Sequence, residues 1–212
     1  RFGIPARLAR IAYRRLFAYC TKQGPIDLVH IHVRTDMTEQ ALPVAKVMGL
    51  PVILTEHNSY YHLGLRDLPT EQQARERRAI RTWLSDPAIT HMMPVSNDLM
   101  RVLERDYGVA RDRMTVVGNV AADVFHPGPP PTSDPVRILL AAVWRAPKDH
   151  DVFIRALRVL PAEMRRSFVV EWTGYGPDMA TIQQRCAAEL PDVDICFTGR
   201  QTKAQIADAM RA

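Results

Sequence analysis

Two cations in this sequence have the chemistry and the spacing of an anion-binding site. Arg145 and Lys148 lie three positions apart, directly after a run of apolar residues. An arginine offers a planar fork of N–H donors and a lysine offers a mobile point charge, so together they suit a diphosphate. Two solvated loop cations would give the same spacing, because loops that follow strands are often basic. The pair is therefore a candidate diphosphate site.

A pair of glycines forms a second candidate. Gly174 and Gly176 stand before Pro177 and after another apolar run. Glycines between a strand and a helix allow the backbone to approach a phosphate at the helix N-terminus. The third glycine of a dinucleotide-binding fingerprint is absent, and a tight structural turn is the commoner source of this pattern.

Three histidines complete the candidate chemistry. His30 and His32 lie two apart on a predicted strand and would point to the same side, but no third ligand has the spacing of a metal site. We therefore expect no metal. His57 directly follows a predicted strand, where it can contact a sugar hydroxyl or a phosphate, or serve as a packing or capping residue.

The remaining motifs argue against several other classes of protein. The sequence holds no P-loop, HExxH, nucleophile elbow or protein-kinase signature. Its three cysteines, Cys20, Cys186 and Cys196, form no CxxC pair, which disfavours a disulfide framework or a zinc site and favours a reducing cytoplasm. No signal-peptide pattern and no apolar run of bilayer-spanning length is visible.

Basic residues are concentrated in two segments, although the formal net charge is only +5. The two groups are Arg1, Arg7, Arg10, Arg14, Arg15 and Lys22, and then Arg75, Arg77, Arg78 and Arg81. Such segments are usually solvated helix faces, and they can also contact anionic lipid or nucleic acid.

The elements that must position these residues alternate along the chain. Short apolar runs rich in β-branched residues predict strands at 27–32, 51–56, 89–95, 114–117, 136–143, 168–173 and 193–198. Helical periodicity predicts helices at 39–48, 71–85, 97–107, 151–160 and 178–190, with Ser96 as an N-cap and Gly49 and Gly108 at C-termini. Thr202 and Gln205 form a capping box for one more helix. This alternation predicts parallel α/β sheets.

Two of these elements carry predictions about burial. The run 136–143 is typical of a buried strand. In helix 151–160, the expected inward side chains are Val152, Phe153, Ala156, Leu157 and Leu160.

A proline-rich segment divides the alternation in two. Proline is too dense between 123 and 135 for a helix or a central strand, so we predict an N-terminal domain at 1–125, a linker at 126–135 and a C-terminal domain at 136–212. The chain starts at an arginine and stops within a predicted helix, so we expect both domains to be incomplete. Ligands of parallel sheets bind beyond the carboxyl ends of the strands, which predicts an anionic ligand in a cleft between the two domains.

Seven segments, in this order, resemble the GT-B glycosyltransferases of the family 4 type (glycosyl transferases group 1) across residues 25–200. They are 27–32 (DLVHIH), 50–57 (LPVILTEH), 94–96 (PVS), 116–127 (VVGNVAADVFHP), 144–151 (WRAPKDHD), 174–177 (GYGP) and 197–199 (FTG). Each segment is a weak signal, whereas the ordered set is a strong one. The resemblance implies two Rossmann-like domains whose parallel sheets face a cleft.

The resemblance also implies a retaining transferase that moves a sugar from a nucleotide-diphosphate donor to a glycan or lipid-linked acceptor, as in polysaccharide biosynthesis. It places Arg145 and Lys148 on the donor diphosphate and His57, as the catalytic residue, against the transferred sugar. The residues it implies along the cleft are Ser96, Asn119, Gly174 and Gly176. It implies no metal and no nucleic acid, and it favours a cytoplasmic enzyme whose basic N-terminal segment contacts the inner face of the membrane.

The sequence departs from the family pattern at four positions. Gly118 stands where proline is usual, Val120 and Trp144 where glycine is usual, and Asp149 where glycine follows the lysine. We expect Trp144 to narrow the donor cleft. The family's N-terminal glycine-rich loop and its C-terminal E-x7-E glutamates have no match, so we expect these 212 residues alone to show little or no transferase activity.

Two other functions fit the sequence. A non-hydrolysing nucleotide-sugar epimerase of the same fold would share the cleft and would convert the donor without an acceptor. A non-catalytic basic module would bind an anionic partner with a steep salt dependence, and its binding would not depend on Arg145.

Overall fold

The computed structural model describes residues 5–57, 59–61, 64–65, 68–129, 135–146 and 148–211. The chain divides into two compact units, Arg1–Val120 and Ala121–Ala212, which are described separately. Residues 130–134 of the predicted linker lie outside the described residues. Over the described ranges, no helix combines the length and the apolar character needed to cross a bilayer.

The first unit is a three-stranded parallel sheet with helices packed around it. Its regular elements are α1 (Ala6–Gln23), β1 (Val29–His32), α2 (Ala41–Val47), β2 (Val52–Glu56), α3 (Thr70–Leu84), β3 (Ile89–Pro94) and α4 (Asn97–Tyr107), with 3₁₀ turns at Thr38–Gln40, Ser59–Tyr61 and Arg111–Arg113. The strand order is β1-β2-β3, and Val52 in the central strand pairs with Val29 and Ile89. The carboxyl ends of all three strands therefore meet at one edge.

The core of this unit explains why its central strand is mainly apolar. A parallel sheet covered by helices is buried on both faces, so the central strand β2 begins with three successive apolar residues, whereas the edge strands β1 and β3 also carry histidines. The side chains with no exposed surface include Ala45, Val52, Leu54, Leu65, Ile80, Leu84, Ile89, Met92 and Leu103. They come from β2, β3, α2, α3, α4 and the segment before α3, so the core depends on all of these elements.

Helix α4 has both ends fixed by local chemistry. Ser96 is its N-cap, and the Ser96 hydroxyl accepts a hydrogen bond of 3.1 Å from the backbone N–H of Leu99. Gly108 ends the helix in the left-handed region at φ +70°, where a glycine is not strained. The predicted cap and C-terminal glycine are both confirmed.

The second unit is another three-stranded parallel sheet with helices. Its elements are β4 (Val136–Ala141), α5 (His150–Arg158), α6 (Ala162–Arg165), β5 (Phe168–Thr173), α7 (Met179–Glu189), β6 (Asp194–Gly199) and α8 (Lys203–Arg211). The strand order is β4-β5-β6. The capping box before α8 is present, since the Thr202 N–H bonds the Gln205 side chain and the Gln205 N–H bonds the Thr202 hydroxyl.

Aromatic rings fill the core of the second unit. Trp144 and Trp172 are both fully buried, with ring centroids 5.1 Å apart. Phe197 stacks on Trp172 at 5.9 Å, and His150 stacks on Trp144 at 5.4 Å. Large buried rings contribute much of a core's apolar area, so this cluster anchors β5, β6 and the loop that follows β4.

The predicted fold class is confirmed, while several details of the predicted elements are wrong. The predicted strand 114–117 is only a bridge between Met114 and Met92, although Thr115 and Val117 also donate hydrogen bonds to β3. The physical reason is Pro94, which has no N–H to complete the ladder. The segment 6–23, for which the sequence predicts no element, forms the helix α1.

Of the two predictions of burial, one is wrong and the other is right only in part. The run 136–143 is predicted to be buried, but no side chain of β4 is buried, because β4 lies at an edge of the sheet. In α5 the buried side chains are His150, Ile154 and Leu157, whereas Val152 is half exposed. Leu157 is buried as predicted, and Phe153 and Leu160 pack against the core, whereas Ala156 is exposed and Ile154 is buried in place of Val152. Three consecutive apolar residues at 152–154 leave it ambiguous which of them faces the core.

The cap of α4 can be tested by mutation. We expect Ser96→Ala to lower the free energy of unfolding by about 1 kcal/mol, because the Leu99 N–H loses its acceptor. Urea unfolding followed by circular dichroism measures this. Ser96→Asp is the matched control, since aspartate also caps helices and its charge is favourable at an N-terminus. Equal losses in the two variants would contradict the capping role.

Candidate functional site

A buried carboxylate organises the carboxyl edge of the first unit's sheet. Glu56, the last residue of β2, has no exposed surface. Its carboxylate accepts hydrogen bonds from the backbone N–H groups of Arg34 and His57, each at 3.0 Å, and from the Tyr61 hydroxyl at 2.7 Å. Charge-assisted bonds of this kind are stronger than neutral ones. Glu56 therefore holds the residues that follow β1 and β2 in place.

Two tyrosines extend this network into the core. The Tyr107 hydroxyl donates a 2.6 Å hydrogen bond to the Tyr61 carbonyl, and the two rings meet edge to face at 5.4 Å. Burial, and then the negative charge of Glu56, raise the pKa of Tyr61 well above its usual value, so its hydroxyl remains a proton donor. The 3₁₀ turn that follows His57 is thus tied to both β2 and α4.

Three histidines lie together at this edge. The rings of His30 and His32 are 4.2 Å apart, on the same side as the strand period predicts, and His57 stacks on His32 at 6.1 Å. His30 Nε2 lies 2.7 Å from the Thr55 hydroxyl, and the side chain of His57 is exposed. Within the described ranges, no group of three or more His, Cys, Asp or Glu side chains has the arrangement of a metal site.

Backbone strain occurs directly beside these histidines. Val33, the residue after β1, has φ +64°, a conformation that β-branched residues rarely adopt. Its N–H donates to the Thr55 carbonyl, and its own carbonyl accepts from the Thr38 hydroxyl. These bonds and the Glu56 contact to the next residue hold the turn, so the strain is imposed by its surroundings.

The other two candidates in the first unit are placed as follows. The Ser96 hydroxyl is used in the cap of α4, although the residue itself is exposed at the end of β3. Asn119 is exposed in the extended segment after Val117, whose N–H bonds the Pro94 carbonyl at the end of β3. The hydrogen bond from Val117 brings this segment to the same carboxyl edge.

The carboxyl edge of the second unit's sheet encloses a cavity of about 330 Å³. Its lining residues are Ala141, Ala142, Val143, Thr173, Gly174, Tyr175, Arg200, Gln201 and Ile206. The Arg200 guanidinium lies 4.9 Å from the centre of the Tyr175 ring, so a planar cation covers an aromatic face at the wall. A cavity of this size is at the lower end of the range of small-molecule sites.

The glycine pair beside this cavity is required by packing. A Cβ at Gly174 would lie 1.8 Å from the Ala142 carbonyl oxygen, and one at Gly176 would lie 2.3 Å from the Trp144 carbonyl oxygen. Both glycines have positive φ, +139° and +156°. The Trp144 backbone N–H also donates a hydrogen bond of 2.8 Å to the Tyr175 carbonyl within this turn. The glycines therefore let the loop after β4 lie directly on the loop after β5.

The side chain of Trp144 lies in the core of the second unit and does not narrow a cleft. We expect from the sequence that it narrows a donor cleft, but it has no exposed surface and packs inward among Trp172, His150 and Phe197. The expectation is wrong because the glycine pair leaves room for the tryptophan beneath the loop. Trp144 is a core residue that anchors the backbone next to Arg145.

The cation pair stands on this anchored loop. The Lys148 N–H donates to the Arg145 carbonyl at 3.0 Å, which closes a turn that presents both side chains to solvent. Neither side chain forms an ion pair with any residue in the part of the chain that the structure describes, so both charges are available to an anion. Arg145 follows the cavity-lining Val143 by two residues.

A larger cavity, about 510 Å³, lies on the first unit between α1, α2 and α3. Its charged side chains are largely satisfied within the protein. Arg34 pairs with Glu39, and Lys46 pairs with Asp86 at 2.7 Å. Size alone would favour this cavity, but the free cations favour the smaller one in the second unit.

Sequence reasoning missed two contributors to these edges. The sequence analysis assigns no role to Glu56, which lies within the segment 50–57, or to Tyr175, which lies between Gly174 and Gly176. A signal exists for Glu56, because an acid at the end of an otherwise apolar strand must be paired or solvated. The signal for Tyr175 is weak, since its partner Arg200 lies on a different loop.

Comparison with known proteins adds a family and a fold. The family model described as Glycosyltransferase Family 4 matches residues 1–123. No curated protein matches the sequence. Solved structures with the same fold include the lipopolysaccharide outer core galactosyltransferase WaaB in its apo form, at 13% identity and a TM-score of 0.60, covering 95% of this chain and 52% of that one.

Two further structures extend the range of functions. A point mutant of TarM from S. aureus, in a complex that contains UDP, shares 8% identity at a TM-score of 0.53, covering 72% of this chain and 29% of TarM. A putative UDP-N-acetylglucosamine 2-epimerase from Listeria monocytogenes shares 13% identity at a TM-score of 0.58, and the match covers 97% of this chain and 54% of the epimerase. Such identities show the fold alone. The chain spans between about a third and a half of the length of these proteins.

The histidine cluster predicts a pH dependence of stability. Burial, and then the neighbouring His32, lower the pKa of His30 below its ordinary value of 6.5. The unfolded chain then binds more protons between the two pKa values, so stability is full above about pH 6.5 and falls as the pH drops through the folded-state pKa. We expect the Tm of the first unit to fall on acidification over this range, and to fall less in His32→Asn.

Differential scanning calorimetry at several pH values makes this measurement. His126→Asn is the control, because His126 is an exposed histidine of the second unit. It should retain the full pH dependence. If the pH dependence in His32→Asn were as steep as in the parent chain, His32 would not be a cause of the lowered pKa.

The glycine turn predicts a large effect of one methyl group. We expect Gly174→Ala to destabilise the second unit by more than about 2 kcal/mol, because the added Cβ overlaps the Ala142 carbonyl. Gly118→Ala is the control, since its Cβ would meet nothing within 4 Å, and it should change stability by less than about 0.5 kcal/mol. Urea unfolding followed by tryptophan fluorescence measures both. Similar stabilities would refute the close packing.

Proposed function

The chain belongs to Glycosyltransferase Family 4, and from this membership we propose that it contributes to the transfer of a sugar from a nucleotide-diphosphate donor to a glycan or lipid-linked acceptor. In the proposed reaction the anomeric configuration of the sugar is retained. The observation that carries the proposal is the juxtaposition, in the second unit, of a cavity at the carboxyl edge of the sheet and a turn whose two cations form no ion pair with any described residue.

The donor nucleotide is assigned to the second unit. The cavity at the ends of β4, β5 and β6 offers an aromatic ring and a guanidinium, Tyr175 and Arg200, against which a planar base can stack. Arg145 and Lys148 then receive the diphosphate, for which a fork of donors and a point charge are suited. The TarM mutant, which has the same fold, was solved with UDP, and this supports a uridine donor as the first to test.

The proposed chemistry needs charge stabilisation more than proton transfer on the donor side. When the bond from the anomeric carbon to the diphosphate oxygen breaks, negative charge grows on the diphosphate. Cations already in place stabilise that charge without reorganisation, and this is usually the largest contribution of such sites. Arg145 and Lys148 are the residues we assign to it. No step of this proposal requires a metal.

His57 is the residue of the first unit that we assign to the transferred sugar. The assignment comes from the family resemblance, and two features support it. Its side chain is exposed at the carboxyl end of β2, while its backbone N–H is fixed by the buried Glu56. A residue that contacts a reacting centre must be positioned closely, and a buried charged partner supplies that positioning.

An epimerase is the second candidate, because one structure with this fold is a putative UDP-N-acetylglucosamine 2-epimerase. It would use the same donor site and would need no acceptor. Incubation of the complete protein with nucleotide sugar alone separates the two functions. A changed sugar that is still attached to the nucleotide would favour the epimerase, and sugar transferred only when an acceptor is added would favour the transferase.

The donor site predicts a binding difference between matched variants. We expect the chain to bind UDP or GDP in calorimetric titrations, and Arg145→Ala/Lys148→Ala to weaken that binding by at least about a hundredfold. Each charge-assisted bond contributes about 1.5–3 kcal/mol, and roughly 1.4 kcal/mol is tenfold in affinity. The preferred nucleotide then identifies the base of the donor.

Arg166→Ala is the matched control. Arg166 is an exposed arginine of the same unit, but it lies just before the amino end of β5, away from the carboxyl edge. Its removal changes the net charge as Arg145→Ala does, and should leave the affinity unchanged. If Arg166→Ala and Arg145→Ala weakened binding equally, general electrostatic attraction would explain the binding and the assignment would fail.

A further inference from the structure

Two side chains that line the larger cavity of the first unit carry buried N–H groups without an acceptor. This cavity, of about 510 Å³, lies between α1, α2, α3 and the 3₁₀ turn before α2, and its volume is within the range of small-molecule sites. Its acids are engaged, since Glu39 pairs with Arg34 and Asp86 pairs with Lys46. The groups that remain without a partner therefore indicate what the cavity binds.

The two unsatisfied groups are the N–H groups of Arg34 Nε and Trp83 Nε1. Each nitrogen has almost no exposed surface, and neither has a hydrogen-bond partner among the residues that the structure describes. The Arg34 guanidinium lies 6.0 Å from the centre of the Trp83 ring, so both groups belong to the same contact. A buried donor without an acceptor is costly, and most buried donors in proteins have a partner.

Arg10 adds a positive charge to the wall of the same cavity. It is exposed on α1, and its guanidinium donates a hydrogen bond of 2.9 Å to the neutral side chain of Gln40. No acid in the described ranges forms an ion pair with it. The charge of Arg10, unlike the charges of Arg34 and Lys46, is therefore available to an anion.

The tryptophans of the second unit provide an internal comparison. The indole nitrogens of Trp144 and Trp172 are also buried without a partner among the described residues. Both rings lie in the packed aromatic core, and neither lines the cavity of the first unit or that of the second. Trp83, in contrast, borders a space far larger than one water molecule, whose share of the liquid volume is about 30 Å³. Its N–H group can therefore receive a ligand.

The unsatisfied groups define the chemistry of the occupant. All of them are donors, so they need a group that only accepts hydrogen bonds. An ionised carboxylate or phosphate has this property, whereas a sugar hydroxyl also donates and an ammonium group only donates. Leu42, Pro43 and Ala79 form an apolar part of the same wall, against which an aromatic or aliphatic body can pack. The combination suits a small organic acid.

We propose that this cavity binds a small organic acid whose carboxylate or phosphate accepts hydrogen bonds from Arg34 and Trp83 and is attracted by Arg10. Hydrogen bonds to an ionised acceptor are the stronger ones, and they would satisfy both buried donors. Since neither nitrogen has exposed surface, the Arg34 side chain must turn toward the cavity on binding. The inference goes beyond sugar transfer and does not depend on the donor site, which is assigned to the second unit.

Correlation spectra of the indole N–H groups test the proposal in the whole chain, because Trp83 is the only tryptophan of the first unit. The probes are benzoate and phenyl phosphate, and benzamide is a neutral molecule of nearly the same shape as benzoate. We expect at least one of the two acids to shift the Trp83 indole signal at millimolar concentrations. Benzamide should bind at least about tenfold more weakly. The acid that binds more tightly identifies the anionic group of the ligand.

Three variants test the named donors, with the affinity for that acid measured by calorimetric titration. Trp83→Phe keeps an aromatic ring and loses the N–H group. Arg34→Lys keeps the charge that pairs with Glu39 and loses the Nε donor. Arg10→Gln removes the uncompensated charge. We expect each substitution to weaken binding about tenfold, the size expected for one hydrogen bond to a charged group.

Matched controls separate this cavity from other cations of the chain. Arg15→Gln makes the same charge change as Arg10→Gln at an exposed position of α1 that does not line the cavity. Arg145→Ala/Lys148→Ala removes the cations assigned to the donor in the second unit. Both should bind the acid like the parent chain. Circular dichroism checks that every variant is folded.

Four outcomes would overturn the proposal. One is that neither acid shifts the Trp83 indole signal. Another is that benzamide binds as tightly as benzoate, since the cavity would then select an apolar body and not an anion. The third is a shift confined to the Trp144 and Trp172 signals, and the last is equal weakening in Arg10→Gln and Arg15→Gln. Nucleotide affinity, measured separately, reports on the donor site alone.

Discussion

The close packing of the loop after β4 on the glycine turn after β5 is the constraint on which the candidate donor site depends. Trp144 fits under that loop only because Gly174 and Gly176 have no side chains. Its indole ring then joins Trp172 in the core, and its backbone N–H bonds the Tyr175 carbonyl. The two cations that follow Trp144 are thereby attached to a closely packed part of the unit. Glycines that resemble a phosphate-binding motif act here first as packing residues.

In the first unit, a buried carboxylate, and not a buried aromatic ring, fixes the loops that carry the candidate site residues. Glu56 is buried at the end of β2, and donors among the described residues that bond to it are the N–H groups of Arg34 and His57 and the Tyr61 hydroxyl. A buried carboxylate without partners would be strongly destabilising, so all three donors must remain in position. Those donors include the N–H of His57, which makes the exposed imidazole the end of a fixed segment. Both units therefore present their candidate site residues from loops that contact a buried residue.

Much of the fold could be predicted from the sequence because parallel sheets leave clear signals. Short segments rich in apolar and β-branched residues predict each of the strands β1 to β6, although several contain a polar residue, and Ser96 and Gly108 mark the ends of α4 from local chemistry alone. Helix α1 was missed because both of its faces carry apolar side chains, which removes the usual periodicity. The inner face of α5 is predicted only in part: Phe153 and Leu157 are placed correctly, but residues 152–154 are all apolar, and only tertiary contacts bury Ile154 and leave Val152 exposed.

The candidate site was less accessible to sequence reasoning, since it depends on contacts between distant loops. The orientation of Trp144 follows from glycines that come after the next strand, and the Tyr175–Arg200 pair joins two separate strand ends.

Amide chemical shifts of the chain, followed during titration with UDP and with GDP, test the site most directly. We predict shifts concentrated at Gly174, Tyr175, Arg200 and Gln201, with the first unit unaffected. Shifts confined to the first unit, or unchanged in Arg145→Ala/Lys148→Ala, would contradict the assignment.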